Sequence, residues 1–152
     1  IEHLETHHYD TVMVVANWDG LLKHNRHQSF EDTLKALREK GVQNLVIYGP
    51  PPHWNKDLPK LLLDDYVRNN EKSFPERMTL GLDGRTAANE AWLRTLSNRY
   101  QIGYVSIYRR LCNIEGCLVR INQNLTSMDD GHLTESASRF IFNDIQNLNG
   151  DP

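Results

Sequence analysis

Short, continuously apolar runs rich in β-branched residues recur along this chain and most constrain how it can fold. Residues 11–16 read TVMVVA, residues 43–48 read QNLVIY and residues 102–107 read IGYVSI. An apolar run of this length is typical of a strand that is buried on both faces, as in a parallel sheet. The sequence therefore predicts three such strands.

Amphipathic segments separate these runs and predict helices that cover the sheet. The segment SFEDTLKALREKG has Ser29 as its candidate N-cap, an apolar stripe, and Gly41 as its closing glycine. Three further helices are predicted in the same way, over residues 57–68, 86–100 and 133–147. Because strands and helices alternate with short connections, we predict an α/β fold, a three-layer α/β/α sandwich with a mainly parallel sheet, in one domain over residues 1–152.

The composition and charge exclude several classes of partner. A length of 152 residues suits one domain with a sizeable buried core. The formal net charge of −3 arises from well-mixed acids and bases, without the basic stripe that nucleic-acid binding requires. No apolar run is long enough to span a bilayer. The chain opens with IEHLETHH, without an initiating methionine or a signal peptide, so we expect a processed or excised piece of a longer protein.

Two cysteines, Cys112 and Cys117, lie close together in RRLCNIEGC. The spacer is too long for a redox CxxC pair, and no second cysteine pair or nearby histidine completes a zinc site. One interpretation is a disulfide that closes a small hairpin with Glu115-Gly116 at its tip, which stabilises by about 2 kcal/mol on the chain-entropy model. A disulfide places the protein in the periplasm or outside the cell. The alternative is a pair of reduced thiols in a cytosolic α/β domain.

An aspartate stands three residues before a histidine in SMDDGHLTESA, just ahead of the last predicted helix. A histidine is a competent general base near neutral pH when a carboxylate holds its tautomer and offsets its charge. Asp129 can reach back to His132 within one turn and leave Nε2 facing a hydroxyl. The alternative is that Asp129 or Asp130 only caps the helix, with His132 a partly exposed residue of its first turn.

Loops that follow the predicted strands carry further candidate site residues. Asn17 and Trp18 follow the first strand, and His53 and Trp54 follow the triple proline after the second. Because ligands bind at the carboxyl ends of parallel strands, we expect these loops to meet the Asp129 segment there. Asn17 is either an amide donor to a developing oxyanion or a turn former. His53 and Trp54 either stack on a sugar ring or form a rigid loop.

Together these motifs resemble the SGNH/GDSL hydrolase superfamily, in particular the SGNH domain fused to the C-terminus of bacterial acyltransferase-3 membrane proteins. The resemblance rests on TVMVVANW, NLVIYGPPP, RRLCNIEGC and MDDGHLT, which together span nearly the whole chain. Its most specific element is the Asp-x-x-His-Leu-Thr block with a cysteine pair upstream. The resemblance implies the flavodoxin-like fold of that superfamily.

The resemblance also implies a chemistry and a location. In that family the serine of an N-terminal Gly-Asp-Ser block is the nucleophile, and the last block completes the triad. Carried over to this chain, Asp129 is the orienting acid and His132 the base. Such domains are periplasmic and move or remove O-acetyl groups on cell-surface polysaccharides, with a membrane acyltransferase domain supplying the acyl group. We therefore expect an O-acyltransferase or acetylesterase that is tethered to the inner membrane and needs no metal or organic cofactor.

The chain departs from the family pattern in two blocks. It contains no Gly-Asp-Ser, and we predict that none of its seven serines lies on a suitable strand-to-helix turn. We expect the first strand and the nucleophile block to precede this chain. The superfamily often has Gly-x-Asn-Asp where this chain reads Ala16-Asn17-Trp18-Asp19. A tryptophan there is common in the acyltransferase-fused branch, and we expect Trp18 to wall the pocket. The alternative function is a non-catalytic glycan- or partner-binding module that keeps the fold.

Overall fold

Helices and strands alternate along most of the chain. The computed structural model describes residues 9–24, 26–70 and 73–148. Within these residues the helices are α1 (Trp18–Lys23), α2 (His27–Glu39), α3 (Leu58–Asn69), α4 (Gly84–Tyr100), α5 (Ile107–Leu111) and α6 (Glu135–Leu148). The strands are β1 (Thr11–Val14), β2 (Asn44–Tyr48), β3 (Arg77–Met78), β4 (Gly103–Val105), β5 (Cys112–Asn113), β6 (Gly116–Leu118), β7 (Arg120–Ile121) and β8 (Asn124–Leu125).

The chain divides into two compact units. The first comprises Ile1–Pro50 and Ala87–Ser106, and the second comprises Pro51–Thr86 and Ile107–Pro152. One boundary falls inside α4, which starts in the second unit and ends in the first. The single domain over residues 1–152 stays a prediction.

Three parallel strands form the sheet of the first unit, in the order β1-β2-β4. Val12 aligns with Leu45 across β1 and β2, and Ile47 aligns with Tyr104 across β2 and β4. The central strand β2 buries Leu45, Ile47 and Tyr48. The three apolar runs are therefore strands, and their parallel pairing is confirmed.

Strand β1 differs from the prediction of a strand buried on both faces. Val12 and Val14 pack against the core, whereas Met13 is 65% exposed and Val15, just beyond the strand, is 71% exposed. The reason is that successive side chains of a strand point to opposite faces of the sheet. On β1, which is one of the two edge strands, only the face that carries Val12 and Val14 packs against the core.

The core of the first unit forms where α2 and α4 pack against this sheet. Leu34 and Leu93 are fully buried, and Phe30, Leu37 and Leu96 are buried around them. In each helix these residues are three or four positions apart, so they share one face. The predicted apolar stripe of α2 is confirmed.

The structure contradicts the predicted N-cap of α2 but confirms its predicted closing glycine. Ser29 is not the N-cap, because the helical hydrogen bonds already begin at the Arg26 carbonyl, which accepts the Phe30 N–H at 3.0 Å. Gly41 does close the helix, as predicted. Its φ is +85°, and its N–H donates to the Arg38 carbonyl at 2.9 Å, a left-handed ending that glycine adopts without a Cβ clash.

The third predicted strand, over residues 102–107, ends early. β4 stops at Val105 and α5 begins at Ile107, so Ser106 lies at a strand-to-helix junction. This corrects the expectation that no serine occupies such a turn. Ile107 and Leu111 are both buried, and a spacing of four places them on one face of a helix rather than along a strand.

In the second unit, Cys112 and Cys117 form a disulfide. They face each other in the antiparallel β5-β6 pair with their Cα atoms 3.9 Å apart, so the disulfide hairpin is confirmed and the free-thiol alternative is wrong. The predicted tip is wrong by one residue. The turn consists of Ile114 and Glu115, because Gly116, with φ +120°, is already the first residue of β6.

The disulfide belongs to a second apolar core. Cys117 and Val119 are fully buried there, in contact with Trp54, Leu58 and Leu61 from the segment that leads into α3 and from α3 itself. Trp54 and Leu58 of this core also donate backbone hydrogen bonds to the segment that carries the candidate site.

Candidate functional site

The Asp129–His132 segment lies in a loop between β8 and α6 whose ends are joined. Ser127 and Leu133 form an antiparallel β-bridge. Just outside it, the Thr134 N–H donates to the Thr126 carbonyl at 3.0 Å. The loop is therefore closed at its base, and its tip carries the two candidate catalytic side chains.

The Asp129 carboxylate holds both the backbone of the loop and the imidazole of His132. Oδ1 accepts the N–H groups of Gly131 at 2.9 Å and of His132 at 2.7 Å. Oδ2 lies 2.6 Å from His132 Nδ1. Because a carboxylate accepts hydrogen bonds, this contact places the proton on Nδ1 and leaves Nε2 as the acceptor. That tautomer is the one a general base requires.

Helix α6 is capped by a residue other than the two aspartates. The helix begins at Glu135, and Thr134 Oγ1 accepts the Ala137 N–H at 3.3 Å. The helix-cap interpretation of Asp129 and Asp130 is therefore wrong. His132 precedes the helix and is not part of its first turn.

The electrostatics of the pair match its geometry. The backbone N–H of Gly131, followed by that of His132, holds the pKa of Asp129 well below its usual range. The hydrogen bond to Asp129 raises the pKa of the His132 imidazole, and the negative charge of Asp129 adds to this effect. The His132 side chain is 91% exposed, against 42% for Asp129. A substrate hydroxyl can therefore reach the imidazole while its partner stays ionised.

The segment that follows the triple proline donates backbone hydrogen bonds to both aspartates. The Trp54 N–H donates to the Asp130 carbonyl at 2.7 Å, and the Leu58 N–H donates to the Asp129 carbonyl at 3.0 Å. The predicted meeting of the His53-Trp54 loop with the Asp129 segment is thus seen within the second unit. The Trp54 ring is only 3% exposed and packs in the core, which favours the rigid-loop interpretation over sugar stacking.

His53 is half-buried and lies directly against Gly131. A Cβ added to Gly131 would come within 2.4 Å of His53 Nε2. A side chain at position 131 would therefore require the His53 ring to move. His53 thus lies against the loop that carries Asp129 and His132, and its predicted role in a substrate pocket stays a prediction.

We expect Gly131→Ala to lower the free energy of unfolding by about 1–3 kcal/mol, since the added methyl overpacks the contact with His53. Chemical denaturation measures this change. Removing the ring in the double variant Gly131→Ala/His53→Ala should restore most of the loss. Gly84→Ala is the matched control, because a Cβ there meets nothing within 4 Å. Equal losses in the presence and absence of the His53 ring would contradict this account.

Asn17 and Trp18 belong to the first unit, where the predicted turn is in fact the start of α1. Asn17 Oδ1 accepts the Gly20 N–H at 2.9 Å and so caps this helix, with its side chain exposed. Trp18 is 3% exposed, and its Nε1–H donates to the Tyr48 carbonyl at 2.9 Å. Its ring also meets Phe30 edge to face, with the ring centroids 5.3 Å apart. Trp18 is thus a core residue here, and its role in walling a pocket stays a prediction.

Sequence reasoning missed the importance of Ser127. This serine was set aside as an unsuitable nucleophile, yet its hydroxyl contacts both Asp129 and His132. The only sequence signal is a hydroxyl residue two positions before an aspartate, a spacing at which local side-chain to backbone bonds form. Its burial, at 3% exposure, depends on the surrounding tertiary structure.

Within the described parts of the chain, Asp129, Asp130 and His132 are the acidic and histidine side chains close enough together to share a cation. Asp129 and His132 already contact each other through Oδ2 and Nδ1. Exposed acidic groups of this kind are common without an ion. We therefore assign no metal ligand here.

The chain has a structural relative among known proteins. The chain is similar to the periplasmic domain of a lipopolysaccharide acetyltransferase from Salmonella ser. Paratyphi A, with 26% sequence identity and a TM-score of 0.77. The match covers 93% of this chain but only 57% of that one. No curated protein sequence matches significantly. Among the described helices, none is long and apolar enough to cross a membrane.

The family follows from a match over nearly the whole chain. A model of the SGNH domain fused to AT3 domains matches residues 1–147. The predicted α/β class with a parallel sheet is confirmed by this match and by the structural similarity. The chain belongs to the family of SGNH domains that are fused to AT3 domains.

Proposed function

We propose that this chain is the SGNH domain of a periplasmic enzyme that transfers an O-acetyl group to cell-surface polysaccharide or removes one from it. One observation carries the proposal: His132 Nδ1 lies 2.6 Å from Asp129 Oδ2 while the imidazole is 91% exposed. A histidine held in this tautomer with its other nitrogen accessible is built to accept a proton from a hydroxyl. The similarity to an acetyltransferase domain supports acetyl as the group.

In the first half-reaction His132 Nε2 accepts the proton of a serine hydroxyl as its oxygen attacks the acyl carbonyl. The carbonyl π electrons move onto oxygen, and the Asp129 carboxylate stabilises the imidazolium through Nδ1–H. Collapse of the tetrahedral intermediate expels the leaving group of the donor, which takes the proton from Nε2. An acyl-serine remains, and the imidazole is neutral again.

In the second half-reaction the same imidazole activates the acceptor. A sugar hydroxyl, or water in the case of removal, gives its proton to Nε2 and attacks the acyl-serine. Collapse releases the acetylated sugar or acetate, and the serine takes its proton back from Nε2. No metal or organic cofactor enters either step.

Asn17 is the proposed donor to the oxyanion. Its Oδ1 is held by the Gly20 N–H, which orients the carboxamide and therefore its Nδ2 donor. Trp18 fixes the start of the same helix through its bond to the Tyr48 carbonyl. A pre-oriented donor of this kind is worth about 2.7–4 kcal/mol of transition-state stabilisation.

The remaining parts of the machinery are proposed to come from elsewhere in the protein. The attacking serine belongs to a Gly-Asp-Ser block outside these 152 residues, since none occurs within them. A membrane acyltransferase domain supplies the acyl group and tethers this domain to the inner membrane, consistent with the AT3 fusions of the family. The disulfide between Cys112 and Cys117 supports an oxidising compartment such as the periplasm.

Ser106 is the specific alternative to an outside nucleophile, because it stands between β4 and α5. The test is Ser106→Ala in the full-length protein, with the acetyl content of the cell-surface polysaccharide and the turnover of a chromogenic acetyl ester as readouts. We expect both to stay near the wild-type level, and mass spectrometry should locate the acyl-serine in a Gly-Asp-Ser peptide. A folded but inactive Ser106→Ala variant, together with an acyl group located on Ser106 in the wild-type protein, would make Ser106 the nucleophile. If neither readout depends on the wild-type protein, the domain is a non-catalytic binding module.

A further inference from the structure

The Ser127 hydroxyl lies inside the catalytic loop and contacts both members of the Asp129–His132 pair. It is 2.8 Å from the His132 carbonyl oxygen, 3.1 Å from the Asp129 carbonyl oxygen and 3.2 Å from Asp129 Oδ1. The Asp129 N–H in turn lies 3.3 Å from Ser127 Oγ. Ser127 is 3% exposed, so water does not readily replace these contacts.

The hydroxyl has one proton and can donate only one hydrogen bond, so a donor or acceptor role can be assigned to its contacts. The short contact to the His132 carbonyl is the best hydrogen bond that it donates, and the Asp129 N–H is a donor that it accepts. Ser127 thereby links the backbone of the acid to the backbone of the base. Asp129 Oδ1 completes the same link by accepting the N–H of His132 at 2.7 Å.

We infer that Ser127 is a positioning residue, whose buried hydroxyl holds Asp129 and His132 in register so that the carboxylate and the exposed imidazole stay in contact. The physical reason is that an exposed pair of this kind is weak by itself, since both side chains lose rotamer freedom to meet and water competes for each of them. Fixing the backbone at both residues lowers that entropic cost before the side chains come together. The expected effect on catalysis rests on the proposed function, whereas the expected effect on the contact between Asp129 and His132 does not.

The loop has other anchors, so loss of the hydroxyl should act locally. The Thr134 N–H bonds to the Thr126 carbonyl, and the Trp54 and Leu58 N–H groups hold the carbonyls of Asp130 and Asp129. None of these bonds uses the Ser127 side chain. A variant without the hydroxyl should therefore fold with the loop in place, but its Asp129–His132 contact should be formed less often.

The test is a nuclear magnetic resonance titration of the His132 imidazole in the protein. The titratable groups that act on this ring are Asp129 and Asp130 from its own loop. His53, from the loop after the triple proline, lies against the neighbouring Gly131. We expect Ser127→Ala to lower the pKa of His132 toward its ordinary value, because contact with the Asp129 carboxylate is partly lost. Ser138→Ala in α6 is the matched control and should leave the titration unchanged. In an Asp129→Asn background, Ser127→Ala should cause no further shift.

Either of two titration results would overturn the inference: an unchanged His132 titration in Ser127→Ala, or an equal shift with and without the Asp129 carboxylate. If the alanine variant does not fold, the wild-type protein still decides, because a buried hydroxyl that donates to a carbonyl exchanges its proton slowly. Rapid exchange of the Ser127 hydroxyl proton with solvent would contradict the inference. In the acyl-transfer assay we expect Ser127→Ala to lower kcat by about tenfold to about a hundredfold with little change in KM, as for a small misplacement of reacting groups. A full-length wild-type protein without acyl-transfer activity would refute the proposed function and leave the titration result standing.

Discussion

His132→Ala is expected to lower acyl transfer by at least about a thousandfold, because His132 is the proposed acceptor of the proton from the attacking hydroxyl. The His132 imidazole is 91% exposed and makes its close contact with a side chain of its own loop. Its removal should therefore leave the fold intact. The measurement is kcat/KM on an acetyl ester together with the acetyl content of the polysaccharide, for the full-length protein.

His24→Ala is the matched control for this variant. His24 is also exposed, lies in the first unit just after α1, and has no role in the proposed chemistry. It should retain wild-type activity. Comparable turnover by His132→Ala and His24→Ala would remove His132 as the base and with it the proposed mechanism.

Asp129→Asn is expected to lower kcat by about 10⁴-fold, as when the orienting acid of a serine hydrolase is amidated. The asparagine Oδ1 can still accept the N–H groups of Gly131 and His132, so the loop should keep its shape. Its Nδ2 cannot accept the His132 Nδ1 proton, which favours the wrong tautomer and leaves the imidazolium without a counter-charge.

The pH dependence separates this effect from a loss of folding. Only the neutral imidazole is a base, so activity rises as the pH passes the pKa of His132, and Asp129 raises that pKa. The acidic limb of the kcat/KM profile should therefore move to lower pH in Asp129→Asn while the plateau falls. Asp130→Asn is the matched control, because the charge of Asp130 is the weakest of the causes that raise the His132 pKa. Its limb and plateau should stay close to wild type. An acidic limb at the wild-type position in Asp129→Asn would contradict the contact between Asp129 and His132.

Local pattern was sufficient for the parts of this protein that depend on near neighbours in the chain. Runs such as TVMVVA and NLVIY predict strands because they are rich in apolar and β-branched residues, which favour strands, and Gly41 predicts a helix end because it accepts a positive φ. The Asp129–His132 contact spans three residues, so the spacing alone allowed it to be foreseen. The disulfide between Cys112 and Cys117 closes one hairpin and is equally local.

Burial and distant hydrogen bonds were decided only by the tertiary structure. Trp18 and Trp54 were predicted at a ligand site, but both are 3% exposed, because residues far along the chain pack around them. The start of α5 at Ile107 and the exposure of Met13 on β1 likewise depend on which neighbours cover each segment. Ser127 shows the same limit within the site. Its sequence position permits contacts with Asp129 and His132, but the burial of its hydroxyl depends on the tertiary structure around the loop.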